Sequence, residues 1–174
     1  MFKKLNTLKI FFEEPNREFN VREVARILKI APATASKELK GLAKKELLTE
    51  KRERFFKLYK LNLESDLSKD LKVFYNIRKL KDSGLIHSLT KFYLKPTIIL
   101  FGSAVYALDT ENSDIDLLIL SEKRKLFPDA EKFEKKIKRK LQLFVVKNIK
   151  ELKNEHLINN VLNGIVLQGE IKWI

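Results

Sequence analysis

Two apolar runs, and the residues between them, constrain this chain more than any other feature. Thr97-Ile-Ile-Leu-Phe-Gly-Ser103 is followed ten residues later by Ser113-Asp-Ile-Asp-Leu-Leu-Ile-Leu120. The pattern reads as a strand, a Gly-Ser turn, a short connection and a second strand bearing two carboxylates. Side chains i and i+2 of a strand share a face, so Asp114 and Asp116 are expected to point the same way. Two like charges held this close favour a cation between them. Hard oxygen donors suit Mg²⁺, which keeps waters and takes further ligands from substrate phosphates. Gly102 lets the backbone approach a phosphate closely, and the Ser103 hydroxyl and amide can donate to it. The four residues point to a metal-nucleotide site.

Gly102-Ser103, the ten-residue spacer and Asp114-Ile-Asp116 between apolar runs resemble the signature of the DNA polymerase beta-type nucleotidyltransferase superfamily, in its minimal branch. The resemblance implies a small mixed sheet with flanking helices over residues 85–174. It also implies Mg²⁺ and transfer of a nucleotidyl group from a nucleoside triphosphate, such as ATP, to a hydroxyl. Asp114 and Asp116 would be the catalytic, metal-holding carboxylates, with Gly102 and Ser103 binding the nucleotide.

The family pattern has a third carboxylate on a later strand, which helps activate the attacking hydroxyl. Its expected place is Leu141–Val146, where this chain offers Gln142. An amide has no titratable acceptor near neutral pH and no charge for a second metal. Glu151 or Glu155 can substitute only if folding brings one of them near. Ala107 stands where the family often has Gly, and Ala104 and Val105 where a basic residue helps to bind triphosphate. Asp109 and Glu111 are expected on the loop surface. The metal- and phosphate-binding parts are kept; the part that drives chemistry is eroded.

The first third of the chain has a different pattern. Leu5, Leu8, Phe11 and Phe12 form a helical stripe that ends at Pro15-Asn16. Asn20 is expected to N-cap a helix over Val21–Leu28, with Glu23 completing a capping box. After a turn at Lys29-Ile-Ala31, Pro32 opens a helix predicted to reach Lys45, with Ala35, Leu39 and Leu42 buried. A hairpin pairs Leu47–Arg52 with Phe56–Leu61 across a charged tip at Glu53-Arg54. Two short helices joined by a tight turn are helix-turn-helix geometry.

This order, around Ala33-Thr-Ala-Ser-Lys-Glu-Leu-Lys-Gly-Leu42, resembles the winged helix-turn-helix of bacterial and archaeal transcription regulators. The resemblance implies double-stranded DNA as partner, with the second helix in the major groove. Thr34, Ser36 and Lys37 would then lie nearest base edges. Lys40, Lys44, Arg52, Arg54 and Lys57 would meet phosphates, which position without specifying. Glu46 stands where such domains often carry Gly after the recognition helix, and the hairpin tip also lacks Gly.

Composition separates these readings only in part. The formal charge is +13 and the pI about 9.8. Residues 1–65 hold 16 Lys and Arg against 9 Asp and Glu, a net of +7; residues 66–174 hold 20 against 14, a net of +6. The shorter segment is the more densely basic, which favours a polyanion there. Lysine enrichment also accompanies high-temperature life, so composition alone does not decide the partner. The chain has no cysteine, which fits a reducing compartment, and only His87 and His156, which disfavours zinc hydrolysis or a histidine relay. No apolar run is long enough for a membrane span, and the cytoplasm is the expected location.

The expected organisation is α+β. Residues 1–65 form a winged helix-turn-helix of helices plus a β-hairpin, 66–84 a connector helix, and 85–174 a nucleotidyltransferase-like domain. In the connector, Leu67, Leu71, Phe74, Ile77 and Leu80 form a stripe that fits coupling of the domains, packing on the sheet, or pairing in a homodimer. A basic helix over Asp129–Lys140 lies along a polyanionic acceptor or faces solvent. The leading functional expectation is a DNA-binding regulator that binds nucleotide and Mg²⁺. The alternative is an active transferase of antitoxin type, modifying a protein or RNA hydroxyl and docking through the winged helix. A third is an interaction protein that uses neither site.

Overall fold

The computed structural model describes residues 2–171, with side chains from Asn6 onward. The chain divides into two compact units, residues 1–75 and 76–174, and the division falls inside one helix.

In the first unit the order is α1 (Phe2–Glu13), β1 (Phe19–Asn20), α2 (Val21–Leu28), α3 (Pro32–Ala43), β2 (Leu48–Glu53) and β3 (Phe56–Leu61). The strands form an antiparallel sheet in the order β1-β3-β2, with Leu48 opposite Leu61 and Glu53 opposite Phe56. The capping box is present: the Glu23 amide donates to Asn20 Oδ1, and the Asn20 amide donates to the Glu23 carboxylate, each at 3.0 Å. Pro32 occupies the first turn of α3. The core gathers Leu8, Phe11 and Phe12 from α1 with Phe19, Val24, Ala35, Leu39, Leu42 and Tyr59. The Leu5 side chain lies outside the described residues.

Helix α3 stops at Ala43, two residues before its expected end. The Leu47 amide donates to the Leu42 carbonyl at 3.1 Å and the Glu46 amide to the Ala43 carbonyl at 2.9 Å, with Glu46 at φ +58°. That is a Schellman close, with Glu in the left-handed position that favours glycine. The hairpin tip also differs by one position. Glu53 is paired, and the two-residue loop is Arg54-Phe55, with Arg54 at φ +50°.

Helix α4 (Asp66–Asp82) carries the division between the units. Its expected apolar stripe is only partly buried. Leu80 is buried and Leu71 and Ile77 are half-buried, whereas Leu67 and Phe74 are exposed. The buried face carries Ser68 and Asn76, polar groups that bond to partners far along the chain and that apolar periodicity cannot register. Ser68 Oγ donates to the Leu47 carbonyl at 3.2 Å.

The second unit continues with α5 (Leu85–Phe92), β4 (Thr97–Phe101), a 3₁₀ turn at Gly102–Val105, β5 (Ile115–Leu120), α6 (Ala130–Ile137), β6 (Leu141–Val146), α7 (Glu155–Leu162) and β7 (Ile165–Gln168). The sheet order is β6-β5-β4-β7; β5 and β6 are parallel and the other pairs antiparallel. Ile115, Leu117 and Ile119 face a core with Leu85, Leu89, Phe133 and Ile137. On the other face Leu118 packs with Ile99, Phe101, Leu152 and Val161. Alternation on β5 therefore puts Asp116 on the same face as Leu118.

Helix α6 is shorter than expected. It closes at Lys138, φ +55°, and Arg139 beyond it is buried rather than aligned with a solvent or acceptor face. Among the described residues no helix is long and apolar enough to cross a membrane.

Candidate functional site

The strand ends bring the expected residues together. Phe101, the last residue of β4, is the register partner of Asp116 on β5. The chain then turns at Gly102, φ +74°. A Cβ there would lie 2.2 Å from Asp116 Oδ2, so only glycine admits the backbone this close to the carboxylate. Ser103 follows, half-buried; its carbonyl accepts from the amides of Tyr106 at 3.2 Å and Leu108 at 3.0 Å, which tightens the turn.

Asp114 is exposed and immediately precedes β5; Asp116 is half-buried within it. Burial pushes the Asp116 carboxyl above its ordinary value, and the charge of Asp114 adds to the rise. Among the described residues neither carboxylate makes an ion pair, so negative charge is gathered at the strand end. Two oxygen donors, a raised carboxyl and a backbone approach open only to glycine fit one divalent cation and its phosphate ligand.

The third position is a different matter. Gln142 is the register partner of Asp116 across β5 and β6, and it is exposed. Among the described residues, no three of His, Cys, Asp or Glu converge as a metal site. Glu151 follows the opposite end of β6, where it pairs with Arg124 at 2.5 Å and accepts from the Lys147 amide at 3.3 Å. Glu155 is the exposed first residue of α7.

Asp109 is not the surface residue its loop suggested. It is fully buried and held by Arg139 Nη2 at 2.9 Å and by Asn76 Nδ2 at 2.9 Å. Asn76 also donates to the Ala104 carbonyl at 3.1 Å, and Arg139 Nη1 to the Ser113 carbonyl at 3.3 Å. The cluster fixes the backbone just after Gly102-Ser103 and just before Asp114. These are positioning residues for the site. Glu111 is exposed, as expected. Ala107 takes φ +59° while buried, the backbone conformation that explains why Gly suits that position.

In the first unit, Ala35, Leu39 and Leu42 turn inward, while Thr34, Lys37 and Lys40 on α3 are exposed and Ser36 is half-buried. Lys44 is exposed in the turn after α3, and Arg52, Arg54 and Lys57 are exposed on the hairpin. Lys57 is partly committed, since it pairs with Glu50. Glu50 also accepts from the Tyr59 hydroxyl at 2.8 Å. Lys57, Tyr59 and the more distant charge of Lys40 hold its carboxyl below the ordinary value. Arg52 and Arg54 make no ion pair among the described residues. Sequence reasoning passed over Phe55, which sits at the tip 95% exposed.

Residues 83–167 match the family model described as a nucleotidyltransferase domain, a span that includes Gly102, Ser103, Asp114, Asp116 and Gln142. Among solved structures, the chain is similar to a possible transcriptional regulator from Methanosarcina mazei Go1. The identity is 22%, the match covers 53% of this chain and 78% of that one, and the TM-score is 0.37. No curated protein matches the sequence.

Proposed function

We propose that this chain is a DNA-binding, transcriptional regulator whose nucleotidyltransferase-like domain holds one Mg²⁺ and a nucleoside triphosphate. Asp114 and Asp116 ligate the metal, and Gly102 and Ser103 meet the phosphates. Bound Mg²⁺ supplies charge neutralisation to the phosphate oxygens. The carrying observation is Gln142 in register beside Asp116. It leaves two carboxylates to bind a metal-phosphate pair, and an amide, which cannot take a proton from an attacking hydroxyl, in place of the third; among the described residues no third carboxylate converges on the pair.

The order α1-β1-α2-α3-β2-β3, with exposed cations on α3 and the hairpin, supports a winged helix-turn-helix in the first unit. Thr34, Ser36 and Lys37 read base edges there, and Lys40, Lys44, Arg52, Arg54 and Lys57 meet phosphates of duplex DNA. A cytoplasmic homodimer on a two-fold operator fits this role. Nucleotide shifts the DNA-bound population by its differential affinity for two states of the protein.

The test is binding to the DNA upstream of its own gene, measured against salt. The wild type should bind with a steep salt slope, Lys37→Ala should weaken it, and Asp116→Ala should leave it unchanged without nucleotide. Salt-independent binding, or an unaltered Lys37→Ala protein, would count against the reading.

The family match over residues 83–167 favours a second reading: transfer of a nucleotidyl group from ATP to a protein or RNA hydroxyl. The hydroxyl oxygen bonds to the α-phosphorus, its proton passes to solvent water, and pyrophosphate leaves. Incubation with radiolabelled ATP and candidate acceptors should then label a partner, and Asp116→Ala should abolish the label.

A further inference from the structure

We infer that Phe55 is a DNA-inserting wedge: the β2–β3 hairpin presents its ring to a base step in the minor groove, while Arg52 and Arg54 hold the flanking phosphates. The inference rests on the DNA-binding reading of residues 1–75 and names the residue through which the hairpin engages the duplex.

Phe55 is 95% exposed and its neighbour Phe56 55% exposed, so the tip is an apolar point in a polar hairpin. Leaving a phenylalanine ring in water forgoes a burial worth about tenfold or more in any equilibrium that could cover it. Turn chemistry does not explain the choice. A two-residue loop favours Gly, Asn or Asp, and here Arg54 takes φ +50° and an aromatic follows it. The rule is broken at Arg54, whose φ favours glycine, while the turn leaves the identity of Phe55 open, so the aromatic is not set by the backbone.

The surrounding charge selects the partner. Glu50 is occupied by Lys57 and Tyr59, and Glu53 lies 4.0 Å from Lys51. Arg52 and Arg54, on the same hairpin as Phe55, have no ion pair among the described residues. An apolar groove of another protein would bury the ring but desolvate two uncompensated guanidiniums. A nucleic acid offers phosphates to the guanidiniums and a base face to the ring. Apolar side chains that unstack a base step from the minor groove kink the duplex. Of the two rings only Phe55 lies in the two-residue loop, Phe56 being already on the strand, and one ring at the tip suits that action better than a stacking platform for several bases.

The experiment uses the full chain and a short AT-rich duplex with a dye at each end, read for affinity against salt and for end-to-end energy transfer. Wild type should bind and bring the ends together. Phe55→Ala should bind about tenfold more weakly with an unchanged salt slope and no bending, because one stacking contact is lost and no phosphate contact. Arg54→Ala should keep the bend and lower the salt slope by about one unit. Phe55→Trp should bind like wild type with quenched emission, read against the native Trp173. An exposed position tolerates these changes without unfolding. If wild type binds and bends DNA but Phe55→Ala does the same, the wedge is overturned while the DNA-binding reading stands. If Phe55→Ala instead dissolves a dimer in sedimentation and leaves DNA affinity intact, the tip meets a second copy and the inference fails. If wild type binds no duplex, both readings fall together.

Discussion

At Gly102, a missing methyl group does as much as any side chain. An alanine there would meet Asp116 Oδ2, the free end of a side chain that can rotate away. Gly102→Ala should therefore fold, at a cost of about 1–2 kcal/mol from the left-handed backbone, while swinging the carboxylate out of place. Calorimetry should show a modest loss of thermal stability and a complete loss of Mg²⁺-dependent nucleotide affinity. The opposite logic holds at Glu46. Its φ of +58° is imposed by the Schellman close after α3, and its side chain is exposed. Glu46→Gly should stabilise the protein by about 0.5–1 kcal/mol, raising the melting temperature by a few degrees; a lower melting temperature would contradict this account of the turn.

The elements of the sheet were the legible part of this sequence. Alternation and apolar runs placed β4 and β5, the Gly-Ser turn and the paired carboxylates, because backbone spacing alone carries that signal. The capping box at Asn20 and Glu23 was legible for the same reason: both halves lie within one turn. What the sequence concealed were polar groups that find partners far along the chain. Asp109 looks like loop surface until Arg139, thirty positions on, buries it. Asn76 looks like the wet side of α4 until the Ala104 carbonyl and Asp109 claim its amide. For that reason Leu67 and Phe74, apolar and in phase, ended up exposed.

Two predictions follow from these element-scale contacts. Arg139→Ala removes the guanidinium that pairs with the buried Asp109 carboxylate at 2.9 Å, and should cost about 3–5 kcal/mol. Thermal melts should show it, along with weakened nucleotide binding from a loosened 104–113 loop. Glu50 supplies a pH dependence. Its folded carboxyl sits below the ordinary value near 4.5, so its contribution is present above that pH and is lost as pH falls through the lower, folded value. Wild type should lose stability across this acidic window, and Glu50→Gln should show a flatter profile there. Equal slopes in the two proteins would sink that assignment.

For the whole molecule, the two proposed binding surfaces fall in different units. Residues 1–75 carry the exposed cations of α3 and the hairpin, and residues 76–174 carry the paired carboxylates at the end of β4 and β5. The coupling between them is a thermodynamic claim: nucleotide must change DNA affinity, and DNA must change nucleotide affinity by the same factor. That claim stands or falls with the site itself. The most direct measurement is titration calorimetry of the full chain with a nucleoside triphosphate, with and without Mg²⁺, beside Asp116→Ala. The account predicts binding by wild type only when Mg²⁺ is present, and none by Asp116→Ala under either condition. Equal affinity in the two proteins, or no nucleotide binding by wild type, would contradict it.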